Sequence, residues 1–302
     1  MMFAGEQDSR NEPKETLMDL DLEHLQSWIG KTETRTDLIT ATPVQGLAAM
    51  LDRDDAEPRD GDPVPPSAHW LYSLLPVARQ SMLGRDGHPK RGGFLPPVPL
   101  PRRMWAGSRI EFHQPLKVGD TLHRTSTIAD VSGKQGRSGS LVFVRVHHEI
   151  GNGSEMSLIE HQDIVYRDDP KPDEATPAVK PAPAEHDFVR TITPDPALLF
   201  RYSALTHNGH RIHYDQPYAT QVESYPGLVV HGPLIATLLL DLLRRNRPDA
   251  TLATFEFRAV KPLFDTAPFE VCGRRAEDGK TFHLWARNAE GALAMDATAV
   301  LA

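Results

Sequence analysis

Along the chain, apolar and polar positions alternate in strand-like fashion in two separate stretches. Arg109–Gln114, Thr121–Ile128, Leu141–Ile150 and Met156–Tyr166 alternate or run apolar between glycine-rich or polar turns, which predicts four β-strands. Leu252–Val260, Pro268–Arg275, Phe282–Arg287 and Ala292–Leu301 predict four more. Asp278-Gly279 and Glu290-Gly291 separate the last three, as antiparallel hairpins require. Ahead of the second set, Gly232 and Pro233 lead into the run LIATLLLDLL. Arg244, Arg245 and Arg247 follow where the negative end of the helix dipole favours cations, and Pro248 prevents continuation. This helix is apolar nearly all round and, at about ten residues, too short to cross a bilayer, so the strands that follow are expected to wrap it. Three weaker helices are predicted: one capped by Thr193 that carries Ala197, Leu198, Phe200 and Tyr202, one capped by Asp21 and closed by Gly30, and one opened by Thr42-Pro43.

Between the two stretches the pattern breaks down. In Arg167–Asp187 proline, alanine and charge replace every apolar period, which predicts a semi-rigid linker over 168–187 between a domain of residues 1–167 and one of residues 188–302. The halves echo each other faintly. Pro115-Leu116 followed by Gly119-Asp120 mirrors Pro262-Leu263 followed by Asp265-Thr266. A curved antiparallel sheet around one buried helix, present twice, satisfies these observations and places the chain in the α+β class. Two stretches, Asp52–Ser67 and Gly84–Pro101, hold too much glycine and proline for regular structure, and long irregular loops inside compact domains tend to be functional.

Composition narrows the function. With 39% apolar and 25% charged residues in 302, the chain is expected to be globular, neither disordered nor fibrous. A net charge of -8 argues against broad attraction to nucleic acid or to an anionic membrane, so an anionic ligand needs a local cationic patch. The single cysteine, Cys272, cannot form an internal disulfide. The polar, acidic start lacks the apolar core of a secretory signal, and a cytoplasmic location is expected.

The densest polar cluster is Thr206–Asp215, THNGHRIHYD, with histidines at 207, 210 and 213. Three readings are open: a metal site, for which carboxylates are scarce and Gly209 interrupts a helix; histidines that are solvated or in the core; and acid–base chemistry, in which a neutral imidazole takes and returns a proton while the Asn208 amide orients water. Further on, Gly227–Gly232 enters the apolar helix, whose first backbone N–H groups suit either a routine helix start or a carbonyl oxygen gaining charge.

Tyr202, Ser203, Leu205, Thr206, Asn208, His213, Asp215, Tyr218 and Ala219, followed by His231-Gly232-Pro233, resemble the hydratase 2 motif of MaoC-like enoyl-CoA hydratases and dehydratases, which have the hotdog fold. THNGHRIHYDQPYA is similar to the branch of mesaconyl-C4-CoA and itaconyl-CoA hydratases and mitochondrial hydroxyacyl-thioester dehydratases. Trp28–Glu33, Gly84–Gly107 and Pro115–Asp120 also resemble that branch. The resemblance implies a double hotdog in which a degenerate first half helps shape the pocket for an acyl-CoA thioester. Coenzyme A would be part of the substrate and no metal or other cofactor would be needed. It further implies His213 as the catalytic base and Gly232 as the N–H donor to the thioester carbonyl. Where the motif has aspartate this chain has Asn208, which cannot accept a proton and is expected to hold the water. The branch acts on short acyl-CoAs with a free carboxylate and forms citramalyl-CoA. That implies a cation in the pocket: Arg102 or Arg103, unless these are surface arginines or bind the coenzyme A phosphates, with Arg211 and Arg201 as weaker candidates, while Tyr202 and His231 complete the expected binding set. Alternatives are a dehydratase for longer 3-hydroxyacyl chains and a silent acyl-thioester binder. Fold analogy suggests a homodimer.

Overall fold

The computed structural model describes residues 20–72, 79–136, 139–169 and 178–302. Its strands are β1 (Thr32–Leu38), β2 (Arg102–Phe112), β3 (Thr121–Gly136), β4 (Gly139–Gly151), β5 (Met156–Arg167), β6 (Phe188–Ile192), β7 (Leu252–Ala259), β8 (Phe269–Arg275), β9 (Thr281–Asn288) and β10 (Leu293–Leu301). They form one antiparallel sheet in the order β1-β3-β4-β5-β2-β7-β10-β9-β8-β6. That order is a palindrome: each strand of the first half has a counterpart at the mirrored place, and β2 meets β7 at the centre. A duplicated unit joined edge to edge produces this arrangement, and among the described residues it leaves only β1 and β6 as sheet edges.

The helices are α1 (Leu22–Gln26), α2 (Ala41–Met50), α3 (Pro196–Leu205) and α4 (Gly232–Asn246). In α4 every side chain from Leu234 to Leu243 is buried, against β8, β9, β10 and β2. Each leucine so buried contributes roughly 1.5–3 kcal/mol, which explains why so apolar a run is stable in a water-facing chain. The echo between the halves has a structural basis. Val230 N–H donates to Leu263 O at 2.9 Å, and Val64 N–H donates to Leu116 O at the same distance. Just as α4 starts two residues beyond Val230, a 3-10 turn, Ala68–Leu71, starts shortly beyond Val64. The turn ends at Tyr72, and residues 73–78 beyond it lie outside the described residues. The first-half strands are covered in addition by Val98 and Leu100 of the proline-rich loop and by Leu25 of α1.

Several boundaries differ from expectation. Asp195, not Thr193, caps α3, because its carboxylate accepts the Leu198 N–H at 2.8 Å. Thr40 rather than Thr42 precedes α2. β2 begins at Arg102, seven residues before the predicted start, directly after Pro101. β1 escaped the apolar pattern because it is an edge strand of mostly polar, exposed residues, and β6 because it is an edge strand of only five residues. Of the expected linker, 170–177 lie outside the described residues. Its remainder is tied down: Leu293 N–H donates to Lys180 O and Ala182 N–H to Gly291 O.

A buried carboxylate locks the two halves. Asp241 of α4 accepts from Arg53 at 2.8 Å, Arg190 at 2.9 Å and Arg245 at 2.7 Å. Arg190 and Arg245 also reach the Leu51 carbonyl beyond the C-terminus of α2, where cations are favoured.

Candidate active site

A cavity of about 520 Å³ opens between the halves, within the range of small-molecule sites. One wall comes from the segment that follows α3. There the Thr206 hydroxyl donates to Tyr202 O and His207 takes a positive φ of 50°, which turns the chain out of the helix. Asn208 Oδ1 accepts the His210 N–H at 3.0 Å in an Asx turn. A short 3-10 turn, Arg211–His213, then places His213 against Val229. The His213 Nδ1 lies 2.7 Å from the Val229 carbonyl oxygen. A carbonyl can only accept, so Nδ1 carries the proton and Nε2 is left as the basic atom. Burial lowers the His213 pKa to about 4, so its ring is neutral and ready to act as a base at neutral pH.

Behind His213 lies His231, its ring stacked at 3.6 Å and 20°. The Ser203 hydroxyl and His231 Nε2 are 2.8 Å apart. His231 is 0% exposed and contributes no surface to the cavity, so its expected place in substrate contact is corrected: it backs the His213 ring. Beside it α4 begins. The Gly232 N–H stands at the first helical position, where no intrahelical acceptor exists, Pro233 has no N–H, and Gly232 lines the cavity. The site therefore holds a basic nitrogen, a main-chain donor with positive dipole behind it, and Asn208, whose amide nitrogen remains available once its oxygen is taken. Tyr202 also lines the cavity, with its ring edge-on to His231 at 5.0 Å.

The first half supplies the opposite wall. Its loop docks on the catalytic segment through backbone: Arg211 N–H donates to Asp86 O at 2.9 Å, and a Cβ on Gly87 would collide with Gly209 O. With a φ of +86° as well, Gly87 admits no other residue without moving the loop. Arg91 holds the loop's shape by donating to the carbonyls of Val98, Leu100 and Pro101. An aromatic wall, Trp70 and Trp105 at 5.3 Å, is fixed by buried Glu160. That carboxylate accepts from Trp70 at 3.1 Å and from Ser108 at 2.6 Å, and the Ser108 oxygen accepts from Trp105 at 2.9 Å. Burial alone would raise the Glu160 pKa, but the hydrogen bonds from His69 and Ser108 hold it at about 2.

The arginines divide. Arg102 lies outside the cavity: it is bonded to Asp169 at 2.8 Å and to Glu223 O at 2.8 Å, and sits over Tyr225. Arg211 is likewise turned away, paired with Asp215 at 2.8 Å and stacked on Tyr218 at 4.2 Å. Both are corrected as binding candidates. Arg103 lines the cavity, and among the described residues no carboxylate lies within ion-pair distance of it. Arg35, Lys90, Arg91, Arg124 and Lys261 line it too, against a single carboxylate, Glu33. A chain of net charge -8 thus carries a local cationic pocket. Sequence patterning missed His88, Glu160, His148 and Arg124 here. His88 stood within a loop marked as irregular, but no local signal distinguished the others.

His148, also in the cavity wall, lies 2.8 Å from Ser126 Oγ, and burial lowers its pKa to about 4. Below about pH 6.5 the unfolded chain therefore binds a proton that the folded chain refuses, so acid favours unfolding. Going from about pH 7 to 5 should cost roughly 2 kcal/mol through this group. Denaturant titrations of His148→Gln are expected to show a shallower acid limb by that amount, and an unchanged limb would contradict the assignment.

The fold and the site define an acyl-thioester hydro-lyase built as a double hotdog. Three comparisons agree. Residues 67–265 match the model of the hydroxyacyl-thioester dehydratase type 2 family. The chain is 47% identical over 277 residues to mesaconyl-C(4)-CoA hydratase of Chloroflexus aurantiacus, covering 91% of this chain and 97% of that one. It is 30% identical over 235 residues to the mitochondrial hydroxyacyl-thioester dehydratase type 2 of Schizosaccharomyces pombe, covering 68% and 76%. Among solved structures, a MaoC-like dehydratase from Phytophthora capsici superposes with a TM-score of 0.66 at 16% identity, covering 94% and 99% of the two chains. A Mycobacterium tuberculosis protein described as a double hotdog gives 0.54 at 15% identity, covering 91% and 96%. The chain belongs to the hydroxyacyl-thioester dehydratase type 2 family.

Proposed function

We propose that the protein adds water reversibly across the double bond of a short branched dicarboxylic enoyl-CoA, interconverting mesaconyl-C4-CoA or itaconyl-CoA with citramalyl-CoA. The observation that carries this is the placement of Arg103, without a carboxylate partner among the described residues, in the same cavity as His213 and Gly232. The name of the Chloroflexus relative supports the same substrate class.

The chemistry needs proton transfer and charge stabilisation only. His213 Nε2 takes a proton from water held by the Asn208 amide while the water oxygen bonds to the β-carbon. In the mesaconyl-C4 thioester, whose double bond is conjugated, the electron pair of that bond moves onto the thioester oxygen, where the Gly232 N–H stabilises it; itaconyl-CoA, with its double bond one carbon further out, must first lose an α-proton and gain one at the γ-carbon to reach the conjugated isomer. His213 then returns the proton to the α-carbon. Its depressed pKa serves this second step, because a buried imidazolium is a strong acid.

Loss of absorbance of the conjugated enoyl thioester measures the reaction, and for itaconyl-CoA, which is not conjugated, chromatographic detection of citramalyl-CoA measures it. Mesaconyl and itaconyl thioesters are expected to turn over faster than crotonyl-CoA and longer enoyl-CoAs; the reverse order supports a longer-chain dehydratase instead. Arg103→Met should lower kcat/KM for carboxylate-bearing substrates by about tenfold to a hundredfold, since a charge-assisted hydrogen bond is worth about 1.5–3 kcal/mol, and crotonyl-CoA should lose far less. Equal loss for both classes would contradict the clamp.

A further inference from the structure

His88, on the docked loop, has no part in the chemistry above. Its ring faces that of His210 with centroids 4.4 Å apart, and His210 lies edge-on to His213 at 5.3 Å. Both rings line the cavity, and among the described residues no protein atom hydrogen-bonds to their ring nitrogens. The charged and titratable groups around the pair come from three elements. β2 supplies Arg103; the loop supplies Arg91, Lys90 and Asp86, whose Oδ1 accepts the His88 backbone N–H at 3.1 Å; and the catalytic turn supplies His213 and the Arg211–Asp215 ion pair. Loss of hydration in the cavity wall, joined by Arg103 at His88 and by His213 and then Arg103 at His210, pushes both imidazoles well below their usual range. Two uncharged rings, each partly exposed to the cavity, thus share it with a guanidinium that has no carboxylate partner among the described residues, an arrangement completed by a ligand that brings its own negative charge.

Resting on the substrate class proposed above, we propose that His88 and His210 form the second arm of the acyl-carboxylate site, the pair taking up one proton from solvent as the carboxylate binds beside Arg103. Near-attack geometry holds reacting atoms about 3–3.5 Å apart, so a carboxylate on or next to the β-carbon must lie close to His213, where His210 is its neighbour. The bound carboxylate favours the charged imidazole that burial alone disfavours. Two imidazolium ions at this separation repel, so the pair shares a single proton. A thioester without the carboxylate meets the same uncharged rings and gains nothing, which makes the pair a device for specificity.

Calorimetric binding of two unreactive saturated thioesters, succinyl-CoA and butyryl-CoA, in buffers of different ionisation heat tests this without turnover. Coenzyme A phosphates titrate alike in both ligands. Succinyl-CoA is expected to take up about one proton more than butyryl-CoA. Because a proton is gained on binding, its association constant should fall as pH rises between about 6 and 8, by up to tenfold per unit, more steeply than that of butyryl-CoA. His88→Gln and His210→Gln should each abolish most of the excess uptake and cut the succinyl-to-butyryl affinity ratio about tenfold. Retained butyryl-CoA binding shows that the variant sites are folded. Succinyl-CoA binding no tighter than butyryl-CoA in the parent would contradict the substrate class itself. Tighter binding with no excess uptake, or uptake and ratio unchanged in both variants, would keep that class and overturn the role of the pair.

Discussion

Replacing His213 with alanine is expected to lower kcat by about 10² to 10⁴, the range that positioned general acid–base groups supply, while KM changes little. The size follows from the geometry. Val229 fixes the proton on Nδ1, so Nε2 is the single basic atom the ring can offer, and the same nitrogen must both take the water proton and return it. Neither Asn208 nor buried His231, whose Nε2 is engaged with Ser203, can substitute for it. The pH dependence carries the same signature. A base lowered to about 4 stays deprotonated down to that value, so kcat/KM for a substrate with an uncharged acyl group such as crotonyl-CoA should hold as pH falls through 6.5 and decline only toward 4. An alanine variant within threefold of the parent, or an acid limb centred near 6.5 in the parent, would count against this role.

A comparably large loss is expected from removing one hydrogen atom at Gly232. Proline is tolerated at the first position of a helix, and it demands an extended residue before it. His231, with φ -59° and ψ 132°, already meets that demand. Gly232→Pro therefore deletes the N–H at little conformational cost, and the loss of one such donor lowers kcat about 10²- to 10³-fold. Gly232→Ala is the control, since it keeps the N–H and its Cβ would approach nothing closer than Trp105 O at 3.8 Å. Activity retained in the alanine protein and lost in the proline protein is the expected pattern. Equal activity in the two would remove the main-chain donor from the mechanism.

The contrast between Arg102 and Arg103 shows where sequence reasoning stopped. Either could reach a pocket if the segment were a loop, but the strand starts at Arg102, and neighbouring strand positions point to opposite faces. That parity sends one guanidinium to Asp169 and the other into the cavity, and it depends on pairing with β5 that no local pattern reports. Local information sufficed where the signal was concentrated: the apolar run of α4 announced its burial, and the polar cluster after α3 held Asn208 and His213 within six residues. It failed for long-range contacts. The docking of Gly87 on Gly209, which brings His88 to His210, joins segments about 120 residues apart in sequence. Glu160 likewise sits in a strand whose pattern says only that it alternates, yet its carboxylate aligns Trp70 and, through Ser108, Trp105.

The most direct test is a crystal structure with an unreactive analogue of the hydrated thioester, whose hydroxyl marks the place of the attacking water. The analogue's thioester oxygen should lie about 2.7–3.1 Å from the Gly232 nitrogen, and its β-hydroxyl about 2.6–3.2 Å from His213 Nε2. A ligand lodged elsewhere in the cavity, with those two atoms facing solvent or other protein groups, would contradict the account.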